Sequence, residues 1–345
     1  VDLTKRTLIV LVNRNNRVDT VGCLESLRRC EGNFDVIIAD NGSTDGSLEA
    51  IRDWAEGKLT VDTSALAWAG IRDHPVTQPA ISYGIFQNEQ AAIDDRTERW
   101  LTVASTGGSR GFPAGNNLGL RYGLTRDYAY FWVLNNDTVV DPAALVRLVE
   151  RMESEPAIGI CGSTLVFYHR PTIVQAYGGS RYHPRAASSN TVGLDSPLVL
   201  PPPDQFAQFD YVVGAAMFVS RAFIEKIGLM NAEVYLYFEE MDWTLRMQPH
   251  FRNGYEPDSI VYHKAGGTMG GGFKRASRHR IYYLTVNRVL FTRKHFPQHL
   301  VTVVLAILAQ AAKNALYGRL DISWWTLKYL VFALTKAKYP LGAIP

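Results

Sequence analysis

Cysteine is scarce in this chain of 345 residues, which holds three, Cys23, Cys30 and Cys161. An odd number without C-x-x-C spacing supplies neither a disulfide framework nor a zinc site. The three read as small buried hydrophobes in a protein kept in a reducing cytosol. A surplus of charge of one sign is also lacking. The 36 Lys and Arg against 33 Asp and Glu leave a formal net charge of +3. That excludes the basic stripe of a dedicated nucleic-acid binder. No run reaches the roughly 18–20 clean apolar residues of a membrane span. Leu300 to Ala312 comes nearest and is broken by Thr302 and Gln310. No basic-then-apolar signal segment precedes the first strand pattern, so a cytoplasmic location is expected. Two phosphate-binding signatures are missing as well. The turn after the first apolar run is Asn13-Arg14-Asn15-Asn16 rather than G-x-G-x-x-G, and no G-x-x-x-x-G-K-[ST] occurs. A dinucleotide-dependent dehydrogenase and a P-loop enzyme are therefore poor readings. A sugar nucleotidyltransferase would need a glycine-rich basic loop after the first strand, and none is there.

What is present is alternation of strand and helix. Thr7 to Val12 is a continuous apolar run, as in a strand buried on both faces. Val18, Val21, Leu24 and Leu27 follow at helical spacing. Val36 to Ala39 repeats the strand pattern, and Leu48, Ile51 and Ala55 the helical one. This order predicts an α/β domain with a mostly parallel central sheet. Residues 57–99 carry Pro75 and Pro79 and weak periodicity, and predict an insertion of short elements. Trp100–Ala104 and Tyr128–Leu134 predict further strands. Asp141 is expected to N-cap a helix with Pro142 at its first position. Strands are expected at Ile158–Cys161, Leu165–Tyr168 and Tyr211–Val219, and helices at Arg221–Ile227 and Glu240–Met247. Gly266–Gly272 reads as a glycine-rich loop.

Three carboxylate sites fall where ligands bind in an open parallel sheet, beyond the carboxyl ends of strands. Asp40 ends the second strand, in Asp40-Asn41-Gly42-Ser43-Thr44-Asp45. Asp137 follows the Tyr128–Leu134 strand, in Asn135-Asn136-Asp137. Glu239, Glu240 and Asp242 follow the aromatic run Tyr235–Phe238. Each alone also fits a turn, a loop or a solvated helix start. Their joint arrival at strand ends points to one site.

The segments LIVLVNRNN (8–16), VIIADNGSTDGS (36–47), GFPAGNNLGL (111–120), FWVLNNDTVVDPAAL (131–145), VVGAAMFVSRAFIEKIGLMNAEVYLYFEEMDWTLRM (212–247), VYHKAGGTM (261–269) and YYLTVNRVLFTRKHFP (282–297) together resemble family 2 of the glycosyltransferases. Within it they are most similar to the bacterial rhamnosyltransferase-like branch. The resemblance implies a GT-A fold with a C-terminal helical extension. It implies nucleotide-sugar contacts from Asn13, Asp40, Asn41, Ser43, Arg110, Gly111, Asn116, Asn117, Asn135, Asn136 and Asp137. Asp40 would accept the N3–H of a uracil or thymine base. Asp137 and His263 would ligate Mn²⁺ or Mg²⁺. The family's metal motif is often Asp-x-Asp. Here Asn135 replaces the first carboxylate, which leaves one acidic ligand in the motif.

The implied reaction is inverting transfer of a hexose from a nucleoside diphosphate to a hydroxyl. Glu240 is the expected general base, with Glu239 and Asp242 as alternatives. Trp243, with Tyr235 and Tyr237, could stack on acceptor sugars or pack in the core. The resemblance favours dTDP-rhamnose as donor, with UDP-linked galactofuranose, glucose or N-acetylhexosamine as alternatives. The acceptor would be a glycan or lipid-linked sugar of surface polysaccharide synthesis. A catalytically weak scaffold relative is the other reading, supported only by the missing first carboxylate. Residues 1–140 are expected to bind the donor and 141–290 the acceptor. Residues 291–345 read as helices that contact the inner face of the cell membrane, pack on the domain or form a homodimer. Arg275, Arg278 and Arg280, with the glycine-rich loop, fit a lid.

Overall fold

The computed structural model describes residues 4–62, 66, 70–71, 74–77, 81–200, 209–264 and 277–335. The first part runs β1 (Thr7–Asn13), α1 (Arg17–Leu27), β2 (Phe34–Asp40), α2 (Ser47–Ala55), β3 (Tyr83–Phe86), α3 (Glu89–Asp94), β4 (Leu101–Ser105), α4 (Phe112–Leu124) and β5 (Tyr130–Asn135). It continues as β6 (Thr138–Val140), α5 (Ala144–Ser154), β7 (Ile158–Phe167), β8 (Arg170–Tyr177), β9 (Gly179–His183), β10 (Ser188–Thr191), β11 (Tyr211–Val212), β12 (Ala216–Ser220), α6 (Arg221–Ile227), α7 (Glu239–Met247) and β13 (Arg252–His263). The last part is α8 (Arg278–His295), a short 3-10 turn at Pro297–His299, α9 (Leu300–Leu316) and α10 (Leu320–Thr335).

Ten strands form one mixed sheet in the order β3-β4-β2-β1-β5-β12-β7-β13-β6, with β8 also on β7. The strands from β3 to β5 are mutually parallel. β12 is antiparallel to both β5 and β7, and β6 pairs antiparallel with β13 at the far edge. β1 shows why its sequence is unbroken in apolar character. Ile9 and Leu11 enter the core beneath α1, α2 and α5, while Leu8 and Val10 enter the core beneath α4, α6 and α7. A side-chain period of two serves both faces at once. A third core joins α8, α9 and α10 to Phe238 and Met241 of the α7 start.

Small residues set how closely α4 lies on the sheet. Gly115, Gly119 and Gly123 recur every four residues, on one helix face. A methyl group at Gly119 would come within 2.4 Å of Val10 Cγ1. The helix backbone can therefore rest on β1 only because this stripe has no side chains.

Several sequence expectations need correction. The α5 helix starts at Ala144 rather than at Asp141 and Pro142. Asp141 instead caps the preceding turn, accepting the Ala143 N–H at 3.0 Å. The two strands expected between Ile158 and Tyr168 are a single strand, β7. The strand expected at Tyr211–Val219 is two, β11 and β12, interrupted at Gly214. All three cysteines are buried and free, and burial pushes the Cys23 and Cys30 thiols up to about 12. The Gly266–Gly272 loop, Arg275 and Pro201–Pro203 lie outside the described residues.

Candidate active site

Parallel strands bring their carboxyl ends to a common level. Asn13 pairs with Asp40, Asp40 with Ser105, and Asn135 with Val12. The loops beyond these ends carry most of the residues singled out from sequence. Asn13 is fully buried and organises them. Its Nδ2 donates to Asp40 Oδ1 (3.2 Å) and Ser43 Oγ (3.0 Å). Its Oδ1 accepts from Thr20 Oγ1 (2.7 Å) and Asn136 Nδ2 (3.1 Å). The Ser43 backbone N–H donates to the other Asp40 oxygen at 3.2 Å. Asp40 is thus fixed in orientation, and a carboxylate has further lone pairs for an incoming N–H.

Asn41 ties two loops together. Its Oδ1 accepts from Arg110 N–H (2.8 Å) and Thr106 Oγ1 (3.1 Å), and its Nδ2 donates to the Gly111 carbonyl (3.3 Å). Gly111 has φ 90°, and a side chain there would meet the Tyr235 carbonyl oxygen at 2.5 Å. Only glycine suits both the backbone angle and the contact. Arg110 lies exposed beside this turn, its Nε on the Thr106 carbonyl.

Asp137 and Asn135 converge with His263 across 126 and 128 residues of sequence. His263 Nε2 lies 3.1 Å from Asp137 Oδ1 and 3.3 Å from Asn135 Nδ2. The strands enforce this, since β13 pairs His263 with Thr138 and the Lys264 N–H donates to the Asp137 carbonyl at 3.0 Å. Gln175 Oε1 lies 2.8 Å from His263 Nδ1. With Nδ1–H donated to Gln175, as to the outer partner of a metal-binding histidine, Nε2 would be available to a cation; with the proton on Nε2 it donates to Asp137 instead. Asp137 and His263 would hold a divalent cation as two neighbouring ligands. Among the described residues no group of three or more His, Cys, Asp or Glu forms a ligand set, so the remaining ligands would come from diphosphate oxygens and water.

On the far side of β5 stand Glu239 and Glu240, at the start of α7. The chain reaches them through Tyr237 (φ 68°) and Phe238 (φ 75°), two consecutive left-handed residues that are not glycine. Such a turn costs roughly 1–2 kcal/mol per residue and must be held. Asn287 of α8 holds it, its Nδ2 donating to the carbonyls of Leu236 (2.7 Å) and Tyr237 (3.2 Å). Glu239 is buried, and the Oε2 atoms of both glutamates are enclosed without a hydrogen-bond partner. Burial pushes the Glu240 carboxyl up to about 7. Burial and then the Glu240 charge raise Glu239 well above the carboxylate range. A methyl group on Gly214 would lie 3.8 Å from Glu240 Oε1. The next carbonyl, of Ala215, accepts the Asn135 N–H at 2.9 Å. The contact with Glu240 and the contact with Asn135 are therefore made by adjacent residues.

Other expected roles are corrected by their surroundings. Asp242 is 1% exposed and accepts from His295 (2.9 Å), Lys294 (2.8 Å) and Arg246 (2.9 Å). Burial alone would raise its carboxyl, but these hydrogen bonds hold it well below the usual range. It is a structural anion joining α7 to α8, too weakly basic to take a proton. Trp243 is fully buried. It packs edge-on against Phe223 and donates its Nε1–H to the Gly228 carbonyl (2.9 Å), so it stacks on no acceptor. Tyr235 stacks on Tyr283 at 4.8 Å, and its hydroxyl meets Ser109 and Arg14. Asn117 clamps both backbone groups of Met230 (2.9 and 3.0 Å). The Asn116 Nδ2 donates to the Phe112 carbonyl (3.0 Å) while its Oδ1 is enclosed without a partner. Asn117 thus fastens α4 to the segment before α7, whereas Asn116 bonds only within its own helix. Sequence reasoning missed Thr20, Gln175 and Asn287. Only Asn287 left a signal, in the YYLTVNRVLF segment.

Residues 8–66 match the glycosyl transferase family 2 profile. No curated protein sequence matches the chain. Among solved structures the chain is similar to the mannosyltransferase PcManGT from Pyrobaculum calidifontis, solved in complex with GDP-Man and Mn2+. That likeness has a TM-score of 0.51 at 16% identity, over 97% of this chain and 88% of that one. It is also similar to S. aureus TarS 1–349, with a TM-score of 0.51 at 11% identity, over 96% of this chain and 81% of that one. The chain therefore has the GT-A glycosyltransferase fold, and over residues 8–66 it carries the sequence pattern of family 2.

Proposed function

We propose that this protein is an inverting glycosyltransferase that moves a hexose from a nucleoside diphosphate to a hydroxyl of a glycan or lipid-linked acceptor. One observation carries the reading. Strand ends that hold Asp40, Asp137 and His263 adjoin an enclosed carboxylate, Glu240, across the Gly214–Ala215 segment. The strand-end residues and a proton acceptor thus adjoin one another through Gly214 and Ala215. Asp40 would receive the base, and Asn13, Ser43 and Asn136 hold Asp40 and its loop in place. Asn135 borders the diphosphate. Residues 1–140 would bind the donor and residues 141–290 the acceptor. The reaction would run in the cytoplasm, at the inner face of the cell membrane.

Asp137 and His263 fit a divalent cation, Mn²⁺ or Mg²⁺, which when bound would supply charge neutralisation for the departing diphosphate. The acceptor hydroxyl attacks the anomeric carbon from the face opposite the leaving group. The new C–O bond forms as the bond to the diphosphate oxygen breaks, and that oxygen leaves with the electron pair. Glu240 takes the hydroxyl proton. Its raised affinity for protons suits a base working near neutral pH.

The donor we propose is dTDP-rhamnose, on the segment resemblance described above. UDP-linked sugars are the alternative, and GDP enters the test because PcManGT was solved with GDP-Man. The test is thermal-shift binding of dTDP, UDP and GDP, each with and without Mn²⁺. Stabilisation by dTDP that needs the cation and vanishes in Asp137→Ala is expected. A folded protein that responds to no nucleotide would overturn the assignment and favour a scaffold.

A further inference from the structure

The described surface carries an apolar face that the strand-end site does not use. It lies on α9 and α10. Val301, Leu305 and Leu308 project from one side of α9, with Val301 at 72% and Leu305 at 59% exposure. On α10 the exposed positions Leu320, Trp324, Leu327 and Val331 recur at steps of four, three and four. Trp324 and Val331 are each 64% exposed. Both helices bury their opposite sides. Val303 and Ile307 of α9, and Tyr329, Leu330 and Ala333 of α10, enter the third core, and Ala311 is buried as well. Tyr329 packs edge-on against Tyr282 of α8 at 4.9 Å. The segment Pro297–Leu316 is long and apolar enough to cross a membrane by composition, yet its inner side is fastened to the domain. A helix held in this way can lie along an interface but cannot span one. Exposed apolar faces of this extent mark interaction sites.

Charge selects the occupant. Lys313, Arg319 and Lys328 are exposed around the face, against one partly buried acid, Asp321. Lys328 and Arg278 lie over the Trp325 ring, at 5.2 and 4.1 Å from its centroid. A second copy meeting this face across a two-fold axis would set like charges against like. An anionic lipid surface takes the same cations favourably, and takes Trp324 at the headgroup level. We propose that the outer face of α9 and α10 docks in the plane of an anionic bilayer. The proposal deepens the transferase reading by naming the surface on which a lipid-linked acceptor is met, and rests on that reading only for the acceptor.

The experiment is flotation of the full chain with vesicles of phosphatidylcholine, and of phosphatidylcholine mixed with phosphatidylglycerol, at low and high salt. Flotation is expected with the anionic vesicles alone, weakening as salt rises. Lys313→Ala and Lys328→Ala should each weaken partitioning by about fivefold, since each surface cation contributes about 1 kcal/mol. Leu305→Glu combined with Val331→Glu should abolish it. Circular dichroism and the nucleotide thermal shift of every variant check the fold. Should the glutamate variant misfold, the lysine variants and the salt series still decide. Equal flotation with both vesicle types overturns the proposal. So does a chain that is dimeric in buffer, ignores vesicles and becomes monomeric in the glutamate variant. Flotation of a protein that binds no nucleotide would leave docking standing and remove the transferase reading instead.

Discussion

Glu240 is held where its charge is unfavourable, and this has two measurable sides. Its carboxyl is raised from an ordinary value of 4.5 to about 7. The turnover rate should therefore rise with pH through about 7 and level off above, as the proposed base ionises. Glu240→Gln should lower kcat by about 10²–10⁴-fold with nucleotide binding intact. Folding stability moves the other way. A raised carboxyl binds its proton more tightly when folded, so its stabilising effect is complete below the ordinary value. It is lost as pH rises through about 7. At pH 8, where the wild type bears the buried charge, Glu240→Gln should be the more stable protein, by on the order of 2 kcal/mol. Thermal melts of both proteins across pH would detect it. Asp242 has the opposite sign. Its carboxyl is depressed, so its contribution is present at neutral pH and disappears as pH falls below the ordinary carboxylate range. Asp242→Asn should be less stable than wild type at pH 7 and nearly equal to it in strong acid. At this scale, positions were easier to read than roles. Asp40, Asp137 and His263 stand at the ends of strands, and apolar runs announce strand ends. Trp243 and Asp242 look like site residues in the sequence, next to Glu240. Which side of α7 faces the core and which faces α8 is fixed by packing that spacing does not reveal.

At the scale of elements, α4 and the approach to α7 are the demanding pieces. Gly119→Ala would press a methyl group against Val10 and should cost about 1–3 kcal/mol of stability. A lowered denaturation midpoint with an unchanged slope would be the result. Asn287→Ala removes the donor that pins the two left-handed residues before Glu239. The expected loss is about 1–3 kcal/mol, and the misplaced base should lower kcat by about 10–100-fold. The apparent affinity for nucleotide should hardly change, because Asn287 touches none of the strand-end loops. Elements marked by an unbroken apolar run or by apolar residues at helical spacing were legible, among them β1, α1, β2 and α6. β13 was not, because Pro257 and a register shift between Glu256 and Ile260 break its alternation. α8 was missed for a different reason. It is buried by α7 on one side and by α9 and α10 on another, so no single apolar stripe marks it.

For the molecule as a whole, one sheet carries strands drawn from Thr7 to His263, and the candidate cation site sits where its far edge closes. β6 follows β5 directly in sequence, yet its strand partner is β13, with Asp137 and His263 126 residues apart. Closing so long a loop costs little more than closing one half its length, but it must wait until the intervening strands and α7 are in position. The two residues of the proposed cation site should thus come together late on the way to the native state. An ion that binds only the assembled pair cannot hasten steps that precede their meeting. It can only hold the closed edge once formed. Mn²⁺ should accordingly leave the refolding rate unchanged and slow unfolding, so that its contribution appears as lifetime of the native state. Stopped-flow refolding and unfolding with and without the cation would separate the two limbs, and a cation-dependent refolding rate would show the edge forming early.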